Sequence, residues 1–120
     1  MSTTTSFDLE RFARAARERD AATQLAMYGP AATVVIVDKV SQPAEPRRLT
    51  DREEIKAWLE DIYSREMTHS VKHTVKDETG AAYIEECRYP DGTNVLCATV
   101  LALDNGQITE QTVVQVWDEE

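Results

Sequence analysis

Residues 83–92 read YIEECRYPDG. The stretch alternates like a β-strand and ends in the Asp91-Gly92 pair of a hairpin turn. Yet Glu85, Glu86 and Arg88 crowd its middle. Side chains alternate between the two faces of a strand, and a small domain turns one face to its core. Either all these charges meet solvent, or some point into a pocket. The choice separates a wet strand from a functional site.

Working outward, the period of the sequence changes from helical to alternating after Met67. Alternation predicts strands at His69–Lys76, Ala81–Tyr89, Val95–Leu103 and Ile108–Trp117. Their turns are residues 77–80, Asp91-Gly92 and Asn105-Gly106, and the last two are strong hairpin signals. Before Met67, Leu9, Phe12, Ala13, Ala16 and Leu25 form one stripe of a helix from Phe7 to about Tyr28. Ser6 is its expected N-cap, and Gly29-Pro30 stops it. The β-branched run Ala31–Val37 is a strand. Asp38–Arg48, with Pro43 and Pro46, is a loop or an irregular hairpin. Thr50 caps a second helix, Glu53 completes a capping box, and Ile55, Trp58, Leu59 and Ile62 form its apolar stripe. Helix, strand, helix, then an antiparallel meander is an α+β arrangement. Residues 1–6 read as a disordered tail and residues 7–120 as one domain.

Composition narrows the function. Hydrophobic residues make up 42% of the 120-residue chain, enough for a core. A formal net charge of -9 argues against binding a phosphate backbone, which needs clustered Lys and Arg. The arginines between Arg11 and Arg19 alternate with acids and read as a solvated helix face. No charge-free apolar run is long enough to span a bilayer, and the N-terminus lacks the pattern of a signal peptide. Cys87 and Cys97 are too few for a disulfide scaffold or a four-ligand zinc site. The expectation is a cytoplasmic protein with no nucleic-acid or membrane partner.

The segments RDAATQLAMYGPAATVVI, LTDREEIKAWL, THSVKH, YPDG and LALDNGQITE follow one another in an order that resembles the nuclear-transport-factor-two-like (NTF2-like) superfamily. The closest likeness is to its SnoaL-like and ketosteroid-isomerase-like branch, over nearly the whole chain. The resemblance implies a cone-shaped α+β roll, in which a curved, mostly antiparallel sheet wraps against two main helices around an open pocket. It also implies isomerase, cyclase or hydrolase chemistry, or a domain without catalysis. Isomerases of the family use a tyrosine on the first helix, an acidic base after the first strand and an acid on a later strand. These positions fall at Phe12, near Ile36 and near Thr99, so the steroid-isomerase mechanism is not supported. Asp38 is two residues from the base position. Glu86 and Arg88 match part of the acid–arginine–acid pattern of the epoxide-hydrolase branch, in a different order.

A two-residue loop at Asp91-Gly92 would set Arg88 opposite Val95 and Glu86 opposite Cys97, sharing one face. The resemblance puts that face in the pocket; Tyr83 and Tyr89 could equally mark the core face, and a slip of one residue reverses every assignment. On the preceding strand His69, Val71, His73 and Val75 share a face, bringing His73 roughly 5–8 Å from Glu86. In the catalytic reading His73 takes a proton, Glu86 orients it, and Arg88 holds an anionic form of the substrate. His69 would lie nearer the mouth, with Trp58 and Thr99 on the walls. The competing reading is a polar pocket mouth with Glu86 and Arg88 paired. A metal on His69 and His73 is excluded by distance, since four strand residues span about 13 Å. No cofactor is expected. The last hairpin leaves two choices: Thr112, Val114 and Val116 inward, or Gln111 and Val113.

The expected function is binding of a small apolar or aromatic molecule, with general acid/base chemistry upon it; the alternative is a non-catalytic ligand-binding or dimerisation domain. No disulfide is expected, because this register points Cys87 and Cys97 to opposite faces. Leu96, Ala98 and Val100 face outward in the apolar run VLCATVLAL, so a homodimer through the outer sheet face is expected.

Overall fold

The computed structural model describes residues 6–118. The expected tail lies outside the described residues apart from Ser6. Two helices, α1 (Leu9–Arg17) and α2 (Ala21–Leu25), precede strand β1 (Tyr28–Val37) and the short strand β2 (Arg47–Leu49). Helix α3 (Arg52–Ser64) then leads into β3 (Thr68–Lys76), β4 (Gly80–Arg88), β5 (Asn94–Asp104) and β6 (Gln107–Trp117). All six strands form one sheet in the order β2-β1-β6-β5-β4-β3. Only the β1–β6 pair is parallel. The expected α+β class and mostly antiparallel sheet are therefore present. Among the described residues, no helix is long and apolar enough to cross a membrane.

The helices cover one face of the sheet. Leu9, Phe12, Ala15 and Ala16 of α1 and Ile55, Trp58 and Leu59 of α3 are buried against it. The first helix is shorter than its apolar stripe suggested. Arg19 adopts a left-handed φ of 55°. The Asp20 amide then bonds the Ala15 carbonyl at 2.8 Å and the Arg19 amide the Ala16 carbonyl at 3.2 Å, a Schellman closure without glycine. Asp20 at once caps α2 through the Thr23 amide. The other caps sit one or two places from expectation. Asp8, not Ser6, caps α1. Asp51, not Thr50, caps α3 by accepting from the Glu54 amide at 2.8 Å, and the Glu54 carboxylate takes the Thr50 amide.

Two local devices reset the sheet register. The β4–β5 loop has three residues, Pro90, Asp91 and Gly92. The Tyr89 amide bonds the Thr93 carbonyl at 2.9 Å and the Gly92 amide the Tyr89 carbonyl at 3.0 Å. Pro90 is at the position a type I turn favours for proline, and Gly92 follows with φ 93°. Arg88 consequently pairs with Asn94, Cys87 with Val95 and Glu85 with Cys97. That is one residue away from the two-residue loop, so every side chain on β4 exchanges faces relative to the expected register. In β6 the Asn105-Gly106 turn has two residues, but a bulge between the Leu103–Ile108 and Ala102–Glu110 pairs shifts the strand. Gln111 and Val113 therefore turn inward, and Val114 and Val116 outward. The second choice for the last hairpin is the one adopted.

Gly92 has open space around it, the nearest atom to an added Cβ lying 4.0 Å away, so only its backbone conformation forbids a side chain. Gly92→Ala should lower stability by about 1–2 kcal/mol, the cost of a left-handed residue. A urea unfolding midpoint unchanged from wild type would show that the turn does not hold the register.

Candidate functional site

The inner sheet face and helices α1 and α3 enclose a cavity of about 120 Å³ that opens to solvent at one end. The new β4 register supplies its polar wall: Tyr83, Glu85 and Cys87 point inward. His69 lies directly across from Cys87 on β3, and Val71 across from Glu85. The strand alternation of β3 thus turns His69 towards the cavity, as the sequence suggested. Its side chain is fully buried.

His69 Nδ1 lies 2.8 Å from Glu85 Oε2. A carboxylate can only accept, so Nδ1 carries the ring proton and Nε2 holds the lone pair. Nε2 is buried and has no hydrogen-bond partner among the described residues. The Tyr63 ring meets the imidazole edge-on, with centroids 5.1 Å apart. The Tyr63 hydroxyl is engaged elsewhere, donating to Gln24 Oε1 at 2.7 Å, while Gln24 Nε2 donates to the Phe12 carbonyl. Across the cavity, the Tyr28 hydroxyl donates to Gln111 Oε1. The Cys87 thiol donates to Glu85 Oε2 at 3.2 Å, and its sulfur lies 3.3 Å from His69 Nδ1. His69, Glu85 and Cys87 are metal-ligand types whose donor atoms lie within 4.8 Å of one another.

The Glu85 carboxylate colours the whole cavity. Burial first, and its negative charge second, push the Tyr28, Tyr63 and Tyr83 hydroxyls well above the ordinary phenol range. The Cys87 thiol is also pushed far up, chiefly by the neighbouring Cys97, then by burial and by Glu85. Both cysteines are free, as expected. The expected reason does not hold: in the actual register they share the inner face and sit on diagonal positions of adjacent strands.

Of the residues proposed from sequence, His69, Trp58 and Thr99 line the cavity. His73, Glu86 and Arg88 do not. His73 sits in a β-bulge between Lys72 and Val75 with φ 56°, which throws its side chain out to solvent. Glu86 and Arg88 face outward because the loop has three residues; Glu86 pairs with Lys72 Nζ at 3.1 Å on the outer face. The residues missed are Glu85 and Cys87, and Pro90 ahead of Asp91-Gly92 was the signal that would have found them. At the cavity mouth Arg65 bonds the Tyr89 hydroxyl at 3.0 Å and Asp61 at 2.6 Å, and the Tyr89 ring stacks on Trp117.

Known structures share this fold. An NTF2-like protein of unknown function from Mesorhizobium loti superposes with a TM-score of 0.77 at 14% identity, covering 90% of this chain and 87% of that one. A candidate ketosteroid isomerase from Kribbella flavida gives 0.73 at 15% identity, over 93% of this chain and 76% of that one. A loop-truncation variant of IdmH gives 0.67 at 17% identity, over 89% and 88%. The fold is that of the NTF2-like proteins. No protein-family sequence model and no curated protein matches the chain.

Phe12, Ile36 and Thr99, the positions at or near which the resemblance set the isomerase groups, line the cavity. None carries an ionisable group. Asp38 also borders the cavity.

The raised tyrosines give a testable pH dependence. An unfolded tyrosine ionises near pH 10, whereas Tyr28, Tyr63 and Tyr83 hold their protons to higher pH in the fold. The folded state therefore binds more protons than the unfolded state in that range. Their contribution is fully present below about pH 10 and is lost as pH rises from there towards their folded values. Ultraviolet titration of phenolate absorbance should show these three ionising only together with loss of the circular dichroism signal. Reversible ionisation of all four tyrosines in folded protein near pH 10 would contradict the burial.

Proposed function

We propose that the cavity binds a small, mostly apolar molecule and that His69, oriented by Glu85, acts on it as a general base. One observation carries the reading: Nδ1 is held by a carboxylate while Nε2 of this cavity-lining histidine is buried with no partner among the described residues. A buried polar atom left without a hydrogen bond is costly, and such a cost is usual where a substrate supplies the missing partner. When Nε2 takes a proton, the Glu85 carboxylate stabilises the imidazolium that forms, without itself accepting the proton. The roles expected for His73 and Glu86 thus pass to His69 and Glu85. Size supports a modest substrate. An apolar cavity of about 150 Å³ takes one benzene ring, so the inner space of about 120 Å³ suits a single small ring or short chain, the remainder lying in the mouth. Among the neighbouring structures, mostly of unknown function, one is described as a candidate ketosteroid isomerase, a small-molecule enzyme.

A probe reaction tests the base without the natural substrate. 5-Nitrobenzisoxazole opens when a base removes one carbon-bound proton, and it is small and aromatic. The wild-type protein should accelerate the opening beyond an equal concentration of free imidazole. His69→Ala should remove about 10²–10⁴ of that acceleration, the usual worth of a positioned base. Glu85→Gln should also reduce it, with folding checked by circular dichroism. Equal rates for wild type and a folded His69→Ala protein would end the reading.

The outer sheet face supports a second proposal, a homodimer. Leu96, Val100, Val114 and Val116 are 46%, 59%, 43% and 65% exposed and lie side by side on β5 and β6. Contiguous apolar patches of this kind mark interaction surfaces. Light scattering at micromolar concentration should give twice the chain mass, and Val100→Glu should halve it. A monomeric wild-type mass would count against the dimer.

A further inference from the structure

The polar wall has a property that proton transfer does not use. We propose that His69 Nδ1, Glu85 Oε2 and Cys87 Sγ form a binding site for a thiophilic divalent cation of the zinc class. The three atoms belong to side chains of the buried inner face and stand 2.8, 3.2 and 3.3 Å apart. Around a tetrahedral zinc ion, bond lengths of about 2.0–2.3 Å place such donors roughly 3.4–3.6 Å from one another. The triangle needs to open by about 0.6 Å at its nitrogen–oxygen edge and by less at the two sulfur edges. Both strands that supply it are held in one ladder, with His69 paired to Cys87. Nitrogen, carboxylate and thiolate together favour zinc over magnesium or calcium, which prefer all-oxygen shells.

Charge points the same way. The Glu85 carboxylate stands on a wall that is largely buried, where a cation would balance its negative charge. On binding, the Cys87 thiol gives its proton to solvent and the thiolate takes the metal. The His69 ring proton moves from Nδ1 to Nε2, so Nδ1 becomes a ligand and the histidine loses no proton overall. Two positive charges then meet two negative ones, and one proton is released per ion. The same tautomer change turns Nε2 from an acceptor into a donor and removes the base of the proposed function. That last consequence rests on the base reading; the metal site itself does not. The acidic balance of the chain favours the approach of cations, and Asp38 and Asp61 border the cavity.

The site is tested by metal binding alone, with cobalt(II) and zinc added to the reduced full-length protein. Cobalt should bind one per chain and give a sulfur-to-metal charge-transfer absorption that zinc abolishes. Calorimetry in buffers of different ionisation enthalpy should report release of one proton per zinc. X-ray absorption of the zinc-loaded protein should show a mixed shell of sulfur and nitrogen or oxygen. Loss of ligand-orienting groups alone costs 10–100-fold in metal affinity, so Cys87→Ser should weaken binding by more than about 100-fold. A shell of nitrogen and oxygen only, no charge-transfer band, or a folded Cys87→Ser protein that binds zinc as wild type does, would each overturn the site. Because the readout is binding, these results stand whether or not His69 proves to be a base.

Discussion

One hydrogen bond sets the character of this cavity: the Gly92 amide to the Tyr89 carbonyl at 3.0 Å. It closes a turn that has Pro90 at its second position and lets Gly92 take the left-handed conformation that follows. The hairpin loop then has three residues. Parity does the rest. With an odd loop, Glu85 and Cys87 enter the cavity and Glu86 and Arg88 leave it; with an even loop the reverse would hold. A carboxylate and a thiol, or a carboxylate and a guanidinium, are different chemistries on the same scaffold. Few other single contacts in the molecule carry as large a consequence for what the protein can do.

The architecture was legible because it is written redundantly. Helix α3 is announced by Ile55, Trp58, Leu59 and Ile62, and each strand of the meander by several alternating residues. A misplaced cap, Thr50 for Asp51, changes nothing downstream. The inward face of β4 had no such redundancy, since Tyr83 and Tyr89 mark one face as apolar while Ile84 marks the other. Its choice fell to the turn, and Asp91-Gly92 was read without Pro90. His73 failed for another reason. A bulge with φ 56° at a non-glycine residue has no local sequence signature, and it ends the alternation that correctly placed His69 and Val71. His69, Trp58 and Thr99 could be found because they sit on elements whose period is unbroken up to them.

The inner polar wall is costly to fold. Glu85 is 14% exposed and His69 not at all. Leaving one partner of a buried hydrogen-bonded pair unsatisfied typically costs about 1–3 kcal/mol, whereas a well-packed apolar pair of the same shape is often as stable or more so. The second polar chain, Tyr63 through Gln24 to the Phe12 carbonyl, is fully satisfied and ties α3 to α1. Its satisfaction makes the contrast with His69 Nε2 informative. The same fold that pairs one buried amide at both ends leaves an imidazole nitrogen without a partner. A stability argument explains the first arrangement and not the second.

The NTF2-like fold offers its members the same cone and leaves its chemistry to whichever inward positions carry ionisable groups. Here Phe12, Ile36 and Thr99 of the cavity wall carry no ionisable group, whereas β3 and β4 bring in His69, Glu85 and Cys87. Of these two strands, β3 is the edge of the sheet farther from β1. An edge strand can bulge without breaking a second ladder, which is how β3 turns His73 away while keeping His69 fixed opposite Cys87. Strand β4 is paired on both sides, so its inward residues Glu85 and Cys87 are set by the turn at its end and not by a bulge.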